Sequence, residues 1–329
     1  MIISKTPYRL SLFGGGTDYP AWFENNPSTI VSAAMAKYCW ITLKELQPFF
    51  EYRNRIVYSR IESTQSIAEI NHPSARACLQ FMNMEDGISI SHDGDLPARS
   101  GIGSSSSFTV GLLHALYEMK GYRPDAKKLA TTAITVEQNF IGENVGIQDQ
   151  IMASYGGIQL INMGPGNEWK CGELKLDKDY QDMLESHIML GFSGVSRYAE
   201  DLSKKQVENI KRGDNYHYLK EMMQLTDEAI RSLWKQDDMS IIGKHLQEGW
   251  SIKRQLYDGI SDLWIDAIYK EAINAGAFGG KLMGAGGGGF FFFIVPPEKQ
   301  KEFKDKMYSI KVWVPFKFDT DGSQIVRTL

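Results

Sequence analysis

The sequence predicts a mixed α+β chain organised as two domains. Its 329 residues suffice for roughly two domains with a large core, and 43% hydrophobic with 23% charged residues is an ordinary soluble composition. Strand-like runs of period two alternate with helical apolar stripes along the whole chain. Three Gly-rich segments, near the start, the middle and the end, interrupt them. There are no repeats, low-complexity tracts or long linkers, so the boundary is placed in the more polar stretch 174–184, giving domains 1–180 and 181–329.

Tyr8, Leu10 and Leu12 alternate with Arg9, Ser11 and Phe13, the period of a strand. Gly14, Gly15 and Gly16 then force a tight turn, and Thr17-Asp18-Tyr19-Pro20 continues as a polar loop. Arg9 is a cation inside that strand, and the pattern leaves open whether it meets an anion or lies on an exposed edge. The runs S-T-I-V-S-A-A-M, Y-C-W-I-T-L and N-R-I-V-Y-S, up to Tyr58, predict an antiparallel sheet. A helix is expected over His72–Met84 and a strand over Gly87–Ser91.

The stretch Leu96–Ser107, L-P-A-R-S-G-I-G-S-S-S-S, runs into the apolar helical pattern Phe108–Met119, which Gly121 closes. Gly101 and Gly103 let the backbone turn and leave no Cβ in a ligand's way. The serines that follow occupy a helix N-cap and first turn, where unpaired N–H groups and the macrodipole favour anions. Gly101, Ile102, Gly103, Ser104, Ser105 and Ser106 therefore form a candidate phosphate cradle. The chain contains no G-x-x-x-x-G-K-[S/T], so the cradle has no Walker lysine. Taken alone, the same pattern also describes a Gly/Ser loop that caps a helix.

Asp125–Ile141 predicts a second helix with Ala130, Ala133, Ile134, Phe140 and Ile141 on one face. Glu137 falls within that apolar stripe, where a carboxylate needs a cation or donors to offset lost hydration. Asp149 opens a short helix after the turn G-E-N-V-G-I-Q, a place where an acid is ordinarily a cap. Gly156–Met163 and Trp169–Leu176 read as paired strands, and His187–Phe192 as a strand. Helices are expected over about Tyr198–Arg212, Tyr216–Lys235, Met239–Leu256 and Leu263–Ala275. In Ala277–Val295, Gly284, Gly286 and Gly289 fit G-x-G-x-x-G, but F-F-F-F-I-V follows as a strand, whereas a dinucleotide fingerprint requires a helix there. Glu298–Met307 predicts a helix, and Ile310–Phe318 with Gln324–Arg327 close a sheet.

Several function classes are disfavoured. A net charge of −4 does not suit a general nucleic-acid binder. Three cysteines, widely spaced and without C-x-x-C, point to a reducing compartment and no zinc site. The histidines form no metal-binding pattern. The opening M-I-I-S-K-T-P lacks a signal-peptide pattern, and no apolar run is long enough to span a bilayer, so no membrane partner and a cytoplasmic location are expected.

Together, Thr6–Tyr19, Leu96–Ser107 and Lys281–Phe290 resemble, in order, the three motifs of the GHMP small-molecule kinases, over nearly the whole chain. The resemblance implies a two-domain α+β fold, with an N-terminal ribosomal-protein-S5-like domain and a C-terminal α+β sandwich, and nucleotide and sugar meeting in the cleft between them. It implies ATP in the cradle, with Mg²⁺ on Ser105 and Glu137. Asp149 matches the catalytic aspartate and Arg9 the basic residue beside it. Asp18, with Gly15, Gly16 and Thr17, matches the sugar-hydroxyl site, and Gly286 and Gly287 are expected to approach substrate.

T-P-Y-R-L-S-L-F-G-G-G-T-D-Y-P, S-G-I-G-S-S-S-S-F-T-V-G and Ser193–Gln206 resemble the branch that phosphorylates the anomeric hydroxyl of D-glycero-D-manno-heptose 7-phosphate. Arg197, opening a helix after a small-residue turn, is the expected anchor for that substrate's phosphate. Two departures stand out: Gly14-Gly15-Gly16 replaces the G-E-H of galactokinases, and Arg99-Ser100 replaces small residues in the second motif. The alternatives are a kinase for fucose, galactose or an N-acetylhexosamine, and a non-catalytic sugar/ATP sensor.

Overall fold

A computed structural model describes residues 1–194 and 199–328 and is built on two sheets. The first half runs β1 (Ile2–Phe13), α1 (Pro20–Phe23), β2 (Ser28–Glu45), β3 (Asn54–Val57), β4 (Ile61–Thr64), α2 (Pro73–Phe81) and β5 (Ile88–Gly94). It continues through α3 (Ser104–Met119), α4 (Ala126–Thr135), α5 (Gln148–Tyr155), β6 (Ile158–Gly164) and β7 (Glu168–Glu173). The second half runs α6 (Lys178–His187), β8 (Ile188–Phe192), α7 (Ala199–Arg212), α8 (Tyr216–Lys235), α9 (Met239–Lys253) and α10 (Leu263–Asn274). β9 (Gly279–Leu282), β10 (Phe290–Ile294), α11 (Gln300–Lys306), β11 (Val312–Val314) and β12 (Gln324–Thr328) complete the chain.

The eight-stranded first sheet has the order β12-β1-β2-β5-β3-β4, with the β6–β7 hairpin branching from β2. β2 is long enough to serve two partners: Ser28–Ala33 pairs with β6, and Cys39–Glu45 pairs with β5. β1 lies antiparallel along the other edge of β2, which places Arg9 opposite Ala34 in mid-sheet. Of the two readings left open for Arg9, an exposed edge charge is therefore excluded.

The second sheet is β11-β8-β10-β9. Its strand F-F-F-F-I is buried on both faces. Phe290 and Phe292 join the core that holds Leu10, Leu113 and Met283, while Phe291 and Phe293 join the one that holds Trp250, Ile268 and Phe303. Each such side chain contributes about 1.5–3 kcal/mol relative to exposure. The strand thus joins both halves of the molecule by its period of two.

Three features depart from the sequence reading. The polar stretch taken as a boundary contains α6, which buries only Tyr180 and Leu184 and so shows little apolar stripe. Ile310–Phe318 and Gln324–Arg327 enter different sheets, because β11 pairs with β8 and β12 with β1. Segment 181–329 therefore returns its last strand to the first sheet. The helix expected over Asp125–Ile141 changes at Val136 into a π-helical turn, Val136–Ile141. Among the described residues, no helix is long and apolar enough to cross a membrane.

Candidate active site

The cradle sits where α3 meets β1. The Arg9 N–H donates to the Ile102 carbonyl at 3.1 Å, and Ser107 Oγ donates to the Pro7 carbonyl at 2.9 Å. Both bonds fix the loop and the first helical turn to a central strand. The serines have different surroundings. Ser104 Oγ accepts from the Arg99 N–H at 3.3 Å, Ser105 is exposed, and Ser106 Oγ donates to Glu137 Oε2 at 2.9 Å. A helix leaves the N–H groups of its first turn without intrahelical partners, which at α3 are those of Ser104, Ser105 and Ser106.

The β9–β10 turn closes on the cradle backbone to backbone. The Phe290 N–H donates to the Ser100 carbonyl at 3.1 Å. A Cβ on Gly101 would stand 2.5 Å from the Met283 carbonyl oxygen, and one on Gly284 would stand 2.5 Å from Gly101 Cα. Only glycine permits that approach. Gly286 and Gly287 are held by the chain between α9 and α10: Gly286 packs on Ile260, and the Gly287 N–H donates to the Ile260 carbonyl at 3.0 Å.

Arg9 and Asp149 form a two-point ion pair. Arg9 Nε donates to Asp149 Oδ1 at 2.6 Å, Nη2 to Oδ2 at 3.0 Å, and Nη1 to the Gly101 carbonyl at 2.5 Å. Fork-to-carboxylate geometry fixes orientation as well as charge. Asp149 therefore does not act as a simple cap; it faces the cradle, with Oδ2 3.1 Å from where a Cβ on Gly103 would lie. The Arg9 side chain is 8% exposed and that of Asp149 25%, so the carboxylate is the open member of the pair.

Asp18 lies beside them, over Gly146, with Oδ1 accepting from the Gly16 N–H at 3.3 Å. Burial, and then the charge of Asp149, push its carboxyl above the usual range. The Thr17 hydroxyl is fully buried and donates to the Gly14 carbonyl at 2.8 Å. Gly15 abuts Ser11 Oγ, and the Gly16 carbonyl accepts from Gln206 Nε2 at 3.0 Å.

Glu137 is fully buried in the π-helical turn. Oε2 accepts from Ser106 Oγ and, at 2.5 Å, from Gln150 Nε2, while Oε1 has no hydrogen-bond partner among the described residues. Burial pushes the carboxyl up to about 7 against the opposing hydrogen bond of Gln150. The hydroxyl brought to Glu137 is that of Ser106 and not the expected Ser105, because adjacent residues on a helix point about 100° apart. Arg197 lies outside the described residues.

The profile described as GHMP kinases N terminal domain matches residues 71–157, and that described as GHMP kinases C terminal matches residues 228–311, together just over half the chain. The chain belongs to the GHMP kinases. It is 27% identical to the D-glycero-alpha-D-manno-heptose 7-phosphate kinase of Campylobacter jejuni, covering 87% of this chain and 86% of that protein. It is 24% identical to a Pyrococcus furiosus galactokinase, covering 92% of each. Among solved structures, a D-glycero-D-manno-heptose 1-phosphate kinase from Bacteroides thetaiotaomicron superposes with a TM-score of 0.81 at 23% identity over 100% of both chains. The Lactococcus lactis galactokinase complexed with galactose gives 0.75 at 15% identity, over 99% of this chain and 95% of that one.

This GHMP kinase is an ATP-dependent phosphotransferase with an alcohol acceptor. Sequence reasoning missed two charged residues at its site. Lys253, the last residue of α9, donates to the Gly284 carbonyl at 2.6 Å and to Leu282 at 3.4 Å. Burial, then Arg9, lower its ammonium to about 8, while Asp18 and Asp149 oppose the shift. Lys281 on β9 is 6% exposed, and burial followed by Lys253 and Arg9 holds it well below the usual lysine range. A lysine closing an amphipathic helix and a lysine in a strand give no signal of this kind in sequence.

Proposed function

We propose that this GHMP kinase transfers the terminal phosphoryl group of ATP to the anomeric hydroxyl of D-glycero-D-manno-heptose 7-phosphate, giving the 1,7-bisphosphate. The observation that carries the reaction is the Arg9–Asp149 pair set against Gly103, which puts a partly accessible carboxylate beside the phosphate cradle. Asp149 takes the proton of the sugar hydroxyl as that oxygen bonds to the γ-phosphorus. The bond to the β–γ bridging oxygen breaks, and ADP leaves. Arg9 holds the carboxylate in a fixed orientation through its two-point contact, and the α3 N-terminus stabilises charge on the transferring group.

Mg²⁺ is proposed to sit between Glu137 and the cradle serines, Ser105 by the motif resemblance and Ser106 by its hydrogen bond to Glu137, where it would neutralise charge on the nucleotide phosphates. A buried carboxylate oxygen without a protein partner fits such an ion. Asp18, on the Gly15–Thr17 turn, is proposed to hold sugar hydroxyls, and Arg197 to hold the 7-phosphate.

The heptose assignment rests on the motif resemblance and on the 27% identity to the Campylobacter jejuni enzyme. An ADP-release assay with Mg²⁺-ATP and heptose 7-phosphate, free heptose, fucose, galactose and N-acetylhexosamines tests it. Heptose 7-phosphate is expected to be turned over with the highest kcat/KM. Equal or faster turnover of an unphosphorylated sugar would replace it with a neutral-sugar kinase. ATP binding with no turnover of any acceptor would favour a sensor.

A further inference from the structure

Lys281 is buried to 6% exposure on β9, and among the described residues it has neither a hydrogen-bond acceptor nor a carboxylate partner. The charged groups that act on it are two further cations, Lys253 and Arg9. Arg9 is already matched by Asp149, and Lys253 already rests on two carbonyls. A buried ammonium beside other cations is costly to keep unless an anion comes to it. A purely structural role would be served better by an apolar side chain on this strand, whose other members are buried.

The position says where that anion comes from. Lys281 precedes the β9–β10 turn by three residues, and Lys253 holds that turn at Gly284. Gly284 in turn touches Gly101, whose carbonyl receives Arg9. Lys253 and Arg9 therefore reach the contact between the two Gly-rich loops from its two sides, and Lys281 lies on the strand that leads into it, near enough to both cations to feel their charge. Oxygen-rich dianions suit such a group of point charges and a guanidinium.

We propose that Lys281 and Lys253 form a phosphoryl-binding pair beside the Gly101–Gly284 contact, on the side of the third Gly-rich turn. The contact with the cradle favours the terminal phosphate of the nucleotide as its ligand. This inference rests on the cradle holding nucleotide phosphates and does not depend on which sugar is the acceptor.

The test is titration calorimetry on the full chain with Mg²⁺, comparing wild type, Lys281→Met and Lys253→Gln. The probes are ADP, a non-hydrolysable ATP analogue, heptose 7-phosphate and free heptose. In both variants the dissociation constant of the ATP analogue is expected to rise about tenfold or more, with that of ADP within twofold. Melting temperature is read on the same samples, and Lys281→Met is expected to hold or raise it, since a buried unpaired charge is removed. A selective loss for heptose 7-phosphate over free heptose, with nucleotide binding intact, would keep the phosphoryl pair and move its ligand to the acceptor. Unchanged affinity for all four probes would overturn the proposal. So would a fall in melting temperature with equal loss for every probe, the signature of structural lysines. Lys281→Arg, which keeps the charge, should retain most of the selectivity for the ATP analogue and covers the case in which the Met variant does not fold.

Discussion

Arg9 on β1 and Asp149 on α5, 140 residues apart in sequence, meet through two hydrogen bonds of 2.6 and 3.0 Å, and the same guanidinium reaches the Gly101 carbonyl. One side chain thus couples the candidate base to the candidate phosphate site. Asp149→Asn is expected to leave ATP affinity within a few-fold while kcat falls by roughly 10²–10⁴, the range for losing a positioned base. Steady-state kinetics with an independent nucleotide-binding measurement checks this. A kcat near wild type removes Asp149 from the chemistry.

Glu137 offers a separate test, because a ligand and a structural acid respond differently. If it holds Mg²⁺, Glu137→Gln raises the Mg²⁺ concentration for half-maximal rate while melting temperature changes little. Loss of thermal stability with an unchanged Mg²⁺ dependence would make it a structural acid serving Ser106 and Gln150.

The Gly101–Gly284 contact predicts the effect of a single methyl group. Gly284→Ala puts a Cβ 2.5 Å from Gly101 Cα at a residue with φ of +70°, so the turn must shift or strain by about 1–3 kcal/mol. A KM for ATP raised several-fold, with KM for the sugar changed less, is the expected kinetic result. Unchanged ATP kinetics would show that the β9–β10 turn does not shape the cradle.

Lys253 gives a pH dependence. Its ammonium is held near 8 by burial and Arg9, against Asp18 and Asp149, with Lys281 as its other charged neighbour. The cation is present below that pH and is lost as pH rises through it. The kcat/KM for ATP should therefore fall above about pH 8, and Lys253→Arg should move the fall upward because a guanidinium stays charged. Stability runs the other way for this group. Between about 8 and the ordinary 10.5, the unfolded chain binds more protons than the folded one, so its contribution to stability rises with pH. An identical basic limb in the Arg variant would assign the titration to another group.

What was legible in the sequence was local. The cradle could be read because its glycines, serines and helix are contiguous, and Glu137 because a carboxylate interrupts an apolar stripe. The Arg9–Asp149 pair could not be derived from spacing, since each residue alone has an ordinary reading as an edge charge or a cap. It emerged only when all three motifs were taken together. The π-helical turn was hidden because the apolar spacing of Val136–Ile141 does not distinguish it from a continuing α-helix. Lys253 and Lys281 became visible only when the fold had buried them beside Arg9. The return of β12 to β1 is likewise a long-range pairing that a short strand pattern does not encode.

The most direct measurement of the central claim is phosphorus NMR of the product made from heptose 7-phosphate and ATP. The 7-phosphate resonance is expected to persist while a second sugar phosphate appears, coupled to the anomeric proton, in step with ADP. A new phosphate coupled to any other sugar proton, or ADP formation without a second sugar phosphate, would contradict it.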